Sequence, residues 1–154
     1  MKKLTLILPL YNDWKSANLL LKRISLNLKK EKLSINVIII NDKSTEKIIL
    51  DKKQFKNINK IEIFNLKQNV GSQVAIFLAL KKIKKNNNNS TIVIMDSDGE
   101  DDPKYILPMI KKSKNEKNKA VIFASRRKRN ESIFFKFLYN VYKIMFKVFT
   151  WKSM

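Results

Sequence analysis

The feature that most constrains the fold is a succession of short, nearly continuous apolar runs separated by amphipathic stretches. The runs Leu4–Leu8, Ile35–Ile40, Ile61–Phe64, Thr91–Met95 and Ala120–Ala124 are rich in Ile, Leu, Val and Phe. A strand with one wet face alternates apolar and polar side chains, whereas a strand covered on both faces reads as an unbroken apolar run. Between the runs the apolar residues change to helical spacing. Trp14, Ala17, Leu20, Leu21, Ile24 and Leu28 form one such stripe, with Lys and Asn on the opposite face. Val74, Phe77, Leu78, Leu80, Lys81 and Ile83 belong to a second helix, and Tyr105–Lys112 to a third that opens at Pro103 behind an Asp102 cap. Strands alternating with helices predict βαβ units: an α/β fold with a mostly parallel central sheet and helices on both faces. Ligands of such sheets bind beyond the carboxyl ends of the strands.

That edge is where the unusual residues collect. The chain has two glycines, Gly71 and Gly99, where ordinary usage would give about ten. Both follow predicted strands, so both are expected where the backbone needs positive φ or close approach. Five of the 13 acidic residues, Asp96, Asp98, Glu100, Asp101 and Asp102, fall within seven positions. Like charges that close repel unless a cation answers them. Asp96 and Asp98 emerge together from the fourth apolar run, and two carboxylates one residue apart can share a divalent ion while leaving positions for phosphate oxygens. A solvated turn with a helix cap accounts for Asp101 and Asp102 but poorly for Asp96 and Asp98. Pro9-Leu10-Tyr11-Asn12-Asp13 ends the first run and Asn41-Asp42-Lys43-Ser44-Thr45-Glu46 the second. A carboxylate such as Asp42 can accept hydrogen bonds from nucleobase N–H groups or ribose hydroxyls. Each segment alone reads as an ordinary polar turn; their joint placement on one edge is informative.

Composition narrows the chemistry. No cysteine is present, which removes disulfides and thiolate catalysis and fits a cytoplasmic setting. No histidine is present either, so a metal must be held by oxygen ligands, pointing to Mg²⁺ or Mn²⁺ rather than Zn²⁺. The formal net charge of +20 favours anionic partners. Part of that excess accompanies a general abundance of Lys, Asn and Ile, including the run Asn86–Asn89, and reads equally as compositional drift. The N-terminal apolar run, broken at Pro9, Asn12 and Asp13, is too short and polar for a signal peptide or a membrane span.

Taken together these motifs resemble the nucleotide-sugar-binding half of family 2 glycosyltransferases, which have a Rossmann-like GT-A fold. The narrower resemblance is to the branch holding dolichyl-phosphate mannosyltransferases and bacterial polyprenyl-phosphate glycosyltransferases. Leu8–Asp13 is similar to the family's opening PxYNE, Ile40–Glu46 to DDGSTD, Asn69–Gln73 to NxGxx, and Met95–Pro103 to MDADxQDxPE. The basic segment Ala124–Arg129 matches one that follows the fifth strand. The motifs stand in the family's order over about residues 4 to 150. Asp13 replaces the usual Glu, Asn41 the first Asp, Lys43 a Gly and Lys104 the final Glu. The resemblance implies that Asp96 and Asp98 form the catalytic DxD pair that holds the metal. It implies a nucleotide-sugar site of Pro9, Tyr11, Asn12, Asp13, Asn41, Asp42, Asn69, Gly71, Gln73, Asp96, Ser97, Asp98, Arg126 and Arg129. Tyr11 and Asp42 would contact base and ribose, Arg126 and Arg129 the phosphates.

The implied reaction is inverting, metal-dependent transfer from a UDP- or GDP-sugar to a lipid-phosphate or glycan acceptor. A polyprenyl phosphate is already ionised near neutral pH and needs no strong base. That suits a chain whose acidic residues beyond Asp102 are Glu116 and Glu131, neither in a recognisable motif. Residues 1–130 are expected to form the nucleotide-sugar-binding domain and 131–154 an amphipathic helix. In the stretch 134–151, Lys136, Asn140, Lys143 and Lys147 form one polar stripe beside a wide apolar arc. Such a helix suits a membrane interface at the cytoplasmic face, or packing on a partner or a further segment. Family members usually continue into an acceptor-binding segment, so a truncated, inactive nucleotide-sugar-binding module is the alternative. Nucleic-acid binding, which the charge alone would favour, is not expected: the acidic run opposes it and no stacking platform precedes the basic segment.

Overall fold

The computed structural model describes residues 2–85, 90–115 and 121–124. The chain divides into two compact units, Met1–Val121 and Ile122–Met154. The first holds the strands β1 (Lys2–Leu10), β2 (Leu33–Asn41), β3 (Ile58–Asn65) and β4 (Thr91–Ile94), and the helices α1 (Trp14–Asn27), α2 (Ser72–Lys85) and α3 (Ile106–Asn115). The strands form one sheet in the order β3-β2-β1-β4, and every pairing is parallel. The expected α/β fold with a parallel central sheet is therefore the fold present.

Side-chain alternation sets the two faces. Leu4, Leu6, Leu8 and Leu10 of β1 and Ile35, Val37 and Ile39 of β2 point to one face, where Trp14, Ala17, Leu20, Leu21 and Ile24 of α1 and Ile106 and Ile110 of α3 cover them. Ile7, Ile38 and Ile40 point to the other, where Ala75, Ala79 and Ile83 of α2 cover them. Burial of each large aliphatic side chain contributes about 1.5–3 kcal/mol, so the central pair β1–β2, wrapped on both sides, carries most of the stability. On α2 the buried row is Ala75, Ala79 and Ile83, four residues apart, while Val74, Phe77 and Leu78 are exposed.

Two expectations are corrected. The third helix starts later than its sequence pattern implies: Pro103–Tyr105 is a single 3₁₀ turn, and α-helix begins at Ile106. Asp102 caps that turn, its side chain accepting the Lys104 N–H at 3.1 Å. Residues 121–124, read as most of a fifth strand, take no strand conformation. An apolar run becomes a strand only when a neighbour completes its hydrogen-bond ladder, and local sequence does not specify that neighbour.

The topology fixes where a ligand can sit. The chain leaves β1 through α1 toward β2 and β3 on one side, then returns through α2 to β4 on the other side of β1. The order reverses between β1 and β4, and such a switch point opens a crevice at the carboxyl ends of the two strands.

Candidate functional site

A cleft of about 300 Å³ lies at that switch point, lined by Pro9, Leu10, Tyr11, Asp42, Ser72, Asp96, Ser97 and Asp98. Four chain segments distant in sequence supply it: the ends of β1, β2 and β4 and the first residue of α2. Six of these eight residues belong to the set expected from the sequence. Leu10 and Ser72 do not. Ser72 was legible in principle, since it follows a glycine and opens an amphipathic helix, a position whose N–H groups face an incoming ligand.

The floor is held by side-chain to backbone hydrogen bonds. Asp42 is buried, with 3% of its surface exposed. Its Oδ1 accepts the Val70 N–H and its Oδ2 the Gly71 N–H, both at 2.8 Å. The charge of this buried carboxylate is therefore answered by two backbone dipoles, and the end of β2 is tied to the turn that starts α2. Gly71 has φ +82°, in the left-handed region where a Cβ is strained, and its carbonyl accepts the Ala75 N–H of the first helical turn at 3.0 Å.

Asn12 and Asn41 brace the loops around the cleft. Asn12 Oδ1 accepts the N–H groups of Thr45 at 2.8 Å and Glu46 at 3.3 Å, and its own N–H donates to Ser44 Oγ at 2.9 Å. Asn41 is buried; its Nδ2 donates to Asn65 Oδ1 at 2.8 Å and its Oδ1 accepts the Ser44 N–H at 2.9 Å. Asp13 caps α1, accepting the Ser16 N–H at 3.2 Å. These three residues, expected as donor contacts, are not among those lining the cleft. Asn69 and Gln73 are exposed and also lie outside its lining. Arg126 and Arg129, like the stretch 134–151, lie outside the described residues.

The acidic loop forms the remaining wall. Asp98 Oδ1 accepts the Glu100 N–H at 2.8 Å and Asp101 Oδ2 the Asp96 N–H at 3.2 Å, a tight curl around Gly99 at φ +80°. At its far end Asp102 pairs with Lys104 at 2.9 Å. Hydrogen bonding from the Lys104 side chain, then from its backbone N–H, holds the Asp102 carboxyl below its ordinary value, and the same pairing raises Lys104.

The cleft is thus locally acidic in a strongly basic chain. Among the described residues no group of three His, Cys, Asp or Glu side chains is arranged to hold a metal. Asp96 and Asp98 offer two hard carboxylate donors, which fits Mg²⁺ or Mn²⁺ completing their shells with water and phosphate oxygens better than an all-protein cage. No helix among the described residues is long and apolar enough to cross a membrane.

Comparison with known proteins agrees with this geometry. The profile described as glycosyl transferase family 2 matches residues 5–152. An uncharacterized glycosyltransferase of Bacillus subtilis (strain 168), YkcC, is 28% identical over 133 residues, covering 86% of this chain and 39% of its own length. An uncharacterized glycosyltransferase of Synechocystis sp., sll0501, is 25% identical over 131 residues, covering 82% of this chain and 38% of its own. The chain therefore spans about two-fifths of the length of these relatives. Among solved structures, S. aureus TarS 1-349 in complex with UDP-GlcNAc superposes with a TM-score of 0.54 at 22% identity, covering 87% of this chain and 38% of that one. That similarity supports the fold. With a profile match running from β1 to within two residues of Met154, on a sheet whose switch point gathers the strand-end motifs into one cleft, the chain belongs to glycosyl transferase family 2.

Proposed function

We propose that this chain forms the donor half of a glycosyltransferase that moves a sugar, with inversion, from a UDP- or GDP-sugar to a polyprenyl phosphate of the dolichyl or undecaprenyl kind. The observation that carries the reading is the convergence of Tyr11, Asp42, Asp96 and Asp98 on one cleft at the switch point of the sheet. Family membership and the UDP-GlcNAc complex of the structurally similar TarS 1-349 support a nucleotide-sugar donor.

Each residue has a task that its position allows. Tyr11, 53% exposed at the cleft, offers a ring face on which a base can stack. Asp42, immobilised by its two backbone donors, retains lone pairs able to accept a base N–H or ribose hydroxyl. Ser72 and the N-terminal end of α2 face the cleft with the positive end of a helix dipole, which favours the diphosphate. Asp96 and Asp98 would hold Mg²⁺ or Mn²⁺, which when bound neutralises charge on the departing nucleoside diphosphate. An ionised lipid phosphate attacks the anomeric carbon without a strong protein base, consistent with a cleft whose lining carboxylates are Asp42, Asp96 and Asp98. The sequence of residues 134–151, where Lys136, Asn140, Lys143 and Lys147 interrupt a largely apolar stretch, suits a cytoplasmic membrane face.

The test is transfer of labelled sugar from UDP- or GDP-sugar to polyprenyl phosphate in detergent or vesicles. Label in the lipid fraction with the anomeric configuration inverted supports the whole reading. Donor binding with no transfer to lipid phosphate would overturn the acceptor assignment and favour a binding module.

A further inference from the structure

Arg23 belongs to α1, on the face of the sheet opposite α2, and no strand-end motif includes it. Its guanidinium nevertheless reaches the acidic loop at two points. Nη1 donates to the Gly99 carbonyl at 3.3 Å, and Nη2 lies 3.4 Å from Asp102 Oδ1. The helix beneath it is anchored through Leu20, Leu21 and Ile24, all fully buried, and packs on the 3₁₀ turn Pro103–Tyr105. The arginine therefore projects from one of the more rigid parts of the molecule. Its two acceptors bracket the second half of the loop, and Gly99 directly follows Asp98.

Three short-range contacts within and beside the loop show what such a tie adds. The Glu100-to-Asp98 and Asp96-to-Asp101 hydrogen bonds lie within the loop, and Lys104 binds Asp102 from two residues away. Bonds of that range set the curl of a loop but do not fix where it stands against the rest of the fold. The Arg23 fork adds a tie of the other kind, from α1 to Gly99 across 76 positions of sequence. A guanidinium presents several N–H donors in a fixed plane and can reach a carbonyl and a carboxylate from two separate nitrogens, with less loss of side-chain freedom per bond than an ammonium on a flexible stem. It also places a cation beside five clustered carboxylates without occupying Asp96 or Asp98, the two that line the cleft.

We infer that Arg23 is a positioning residue for the donor site: from α1 it fixes the Gly99–Asp102 segment so that Asp98 and Asp96 stay at the wall of the cleft, ready for a divalent ion and a diphosphate. The metal part of this inference rests on the donor-site reading above; the structural part does not. Both contacts are long and partly solvated, so global stability should change little when they are removed. The loop itself should change a good deal.

The experiment compares wild type with Arg23→Gln and Arg23→Lys in two measurements. The first is hydrogen exchange of the amides of residues 97–102 in the ligand-free protein, with the amides of β1 and β2 as an internal control of folding. Arg23→Gln should speed exchange in the loop by about 5-fold or more and leave the control unchanged, with Arg23→Lys in between. Equal loop exchange in all three proteins overturns the inference whatever happens to ligand binding. The second is the Mn²⁺ concentration needed for half-maximal UDP binding by calorimetry. It should rise by about 3- to 10-fold in Arg23→Gln and less in Arg23→Lys. Looser loop exchange with an unchanged Mn²⁺ requirement overturns the metal-site part alone. Absence of Mn²⁺-dependent UDP binding in the wild type overturns the donor reading and that part with it, while the exchange result still decides whether Arg23 holds the loop.

Discussion

Two non-glycine residues in the loops around the cleft, Asn12 at φ +50° and Lys43 at φ +59°, occupy the left-handed region. Asn tolerates it because its short amide bonds to nearby backbone, as Asn12 does here. Lys43 has no such compensation, and it stands where the family pattern has glycine. Lys43→Gly should therefore stabilise the protein by about 0.5–1 kcal/mol, strain relief exceeding the added entropy of the unfolded chain; a lower urea midpoint would contradict this. Asp42 makes the opposite case. Removing its carboxylate with Asp42→Ala leaves the Val70 and Gly71 N–H groups without their acceptor and should cost about 2–3 kcal/mol, whereas Asp42→Asn keeps one acceptor oxygen and should cost roughly half. Equilibrium urea unfolding of both variants measures the difference. The sequence marked Asp42 as chemically apt and Gly71 as conformationally special. That the two bond to each other across 29 positions was not legible, because side-chain bonds between distant loops leave no periodic trace. The same holds for Asn12 and Asn41, read as donor contacts and found to be braces.

At the scale of elements, most boundaries were legible because both-face burial writes itself into apolar runs, and helix stripes into a three-to-four spacing. What the stripe did not reveal was which apolar residues of α2 face the sheet. Ala75 and Ala79, at 0% and 3% exposure, let the helix approach Ile7, Ile38 and Ile40 closely, while Phe77 is 62% exposed. Hydrophobicity alone ranks these residues in the reverse order; packing geometry decides. Ala79→Leu should overfill this interface and cost about 1–3 kcal/mol, whereas Phe77→Ala should stay within about 0.5 kcal/mol of wild type. Thermal unfolding of the pair checks the assignment, and a larger loss for Phe77→Ala would contradict it. The late start of α3 follows from Pro103 and the Asp102 cap, which favour a tight first turn. The missing strand at 121–124 follows from the need for a ladder partner, a property of the whole sheet rather than of four residues.

At the scale of the whole molecule the dominant number is the charge. With 33 basic and 13 acidic residues, self-repulsion opposes the compact state, so salt should stabilise the protein at neutral pH. Acid should be doubly unfavourable. Glu62 is held below its ordinary value, first by its hydrogen bond with Lys60 and then by the charges of Lys60 and Lys82, against an opposing contribution from desolvation. A lowered folded value gives stability that is present above the unfolded value and lost as pH falls through the folded one. For this half-exposed carboxylate that share is under about 0.5 kcal/mol; the larger loss comes from leaving the basic charges unopposed. Urea midpoints should therefore fall from neutral to acid pH and recover partly in high salt, and a midpoint independent of both would contradict the electrostatic account.

The same scale holds the central claim, that a strongly basic chain keeps a locally acidic cleft because a metal and a diphosphate meet there. The acidic cleft itself was legible from the spacing of Asp96 and Asp98 after an apolar run, and the sheet order puts those two residues at the switch point; that a metal and a diphosphate meet there is the proposal. The most direct test is calorimetric binding of UDP- and GDP-sugars with and without Mn²⁺, in wild type and in Asp98→Ala. Binding should require the ion and fall by at least about 10-fold in Asp98→Ala, with the unfolding midpoint little changed. Binding that is indifferent to Mn²⁺ and to the substitution would contradict the claim.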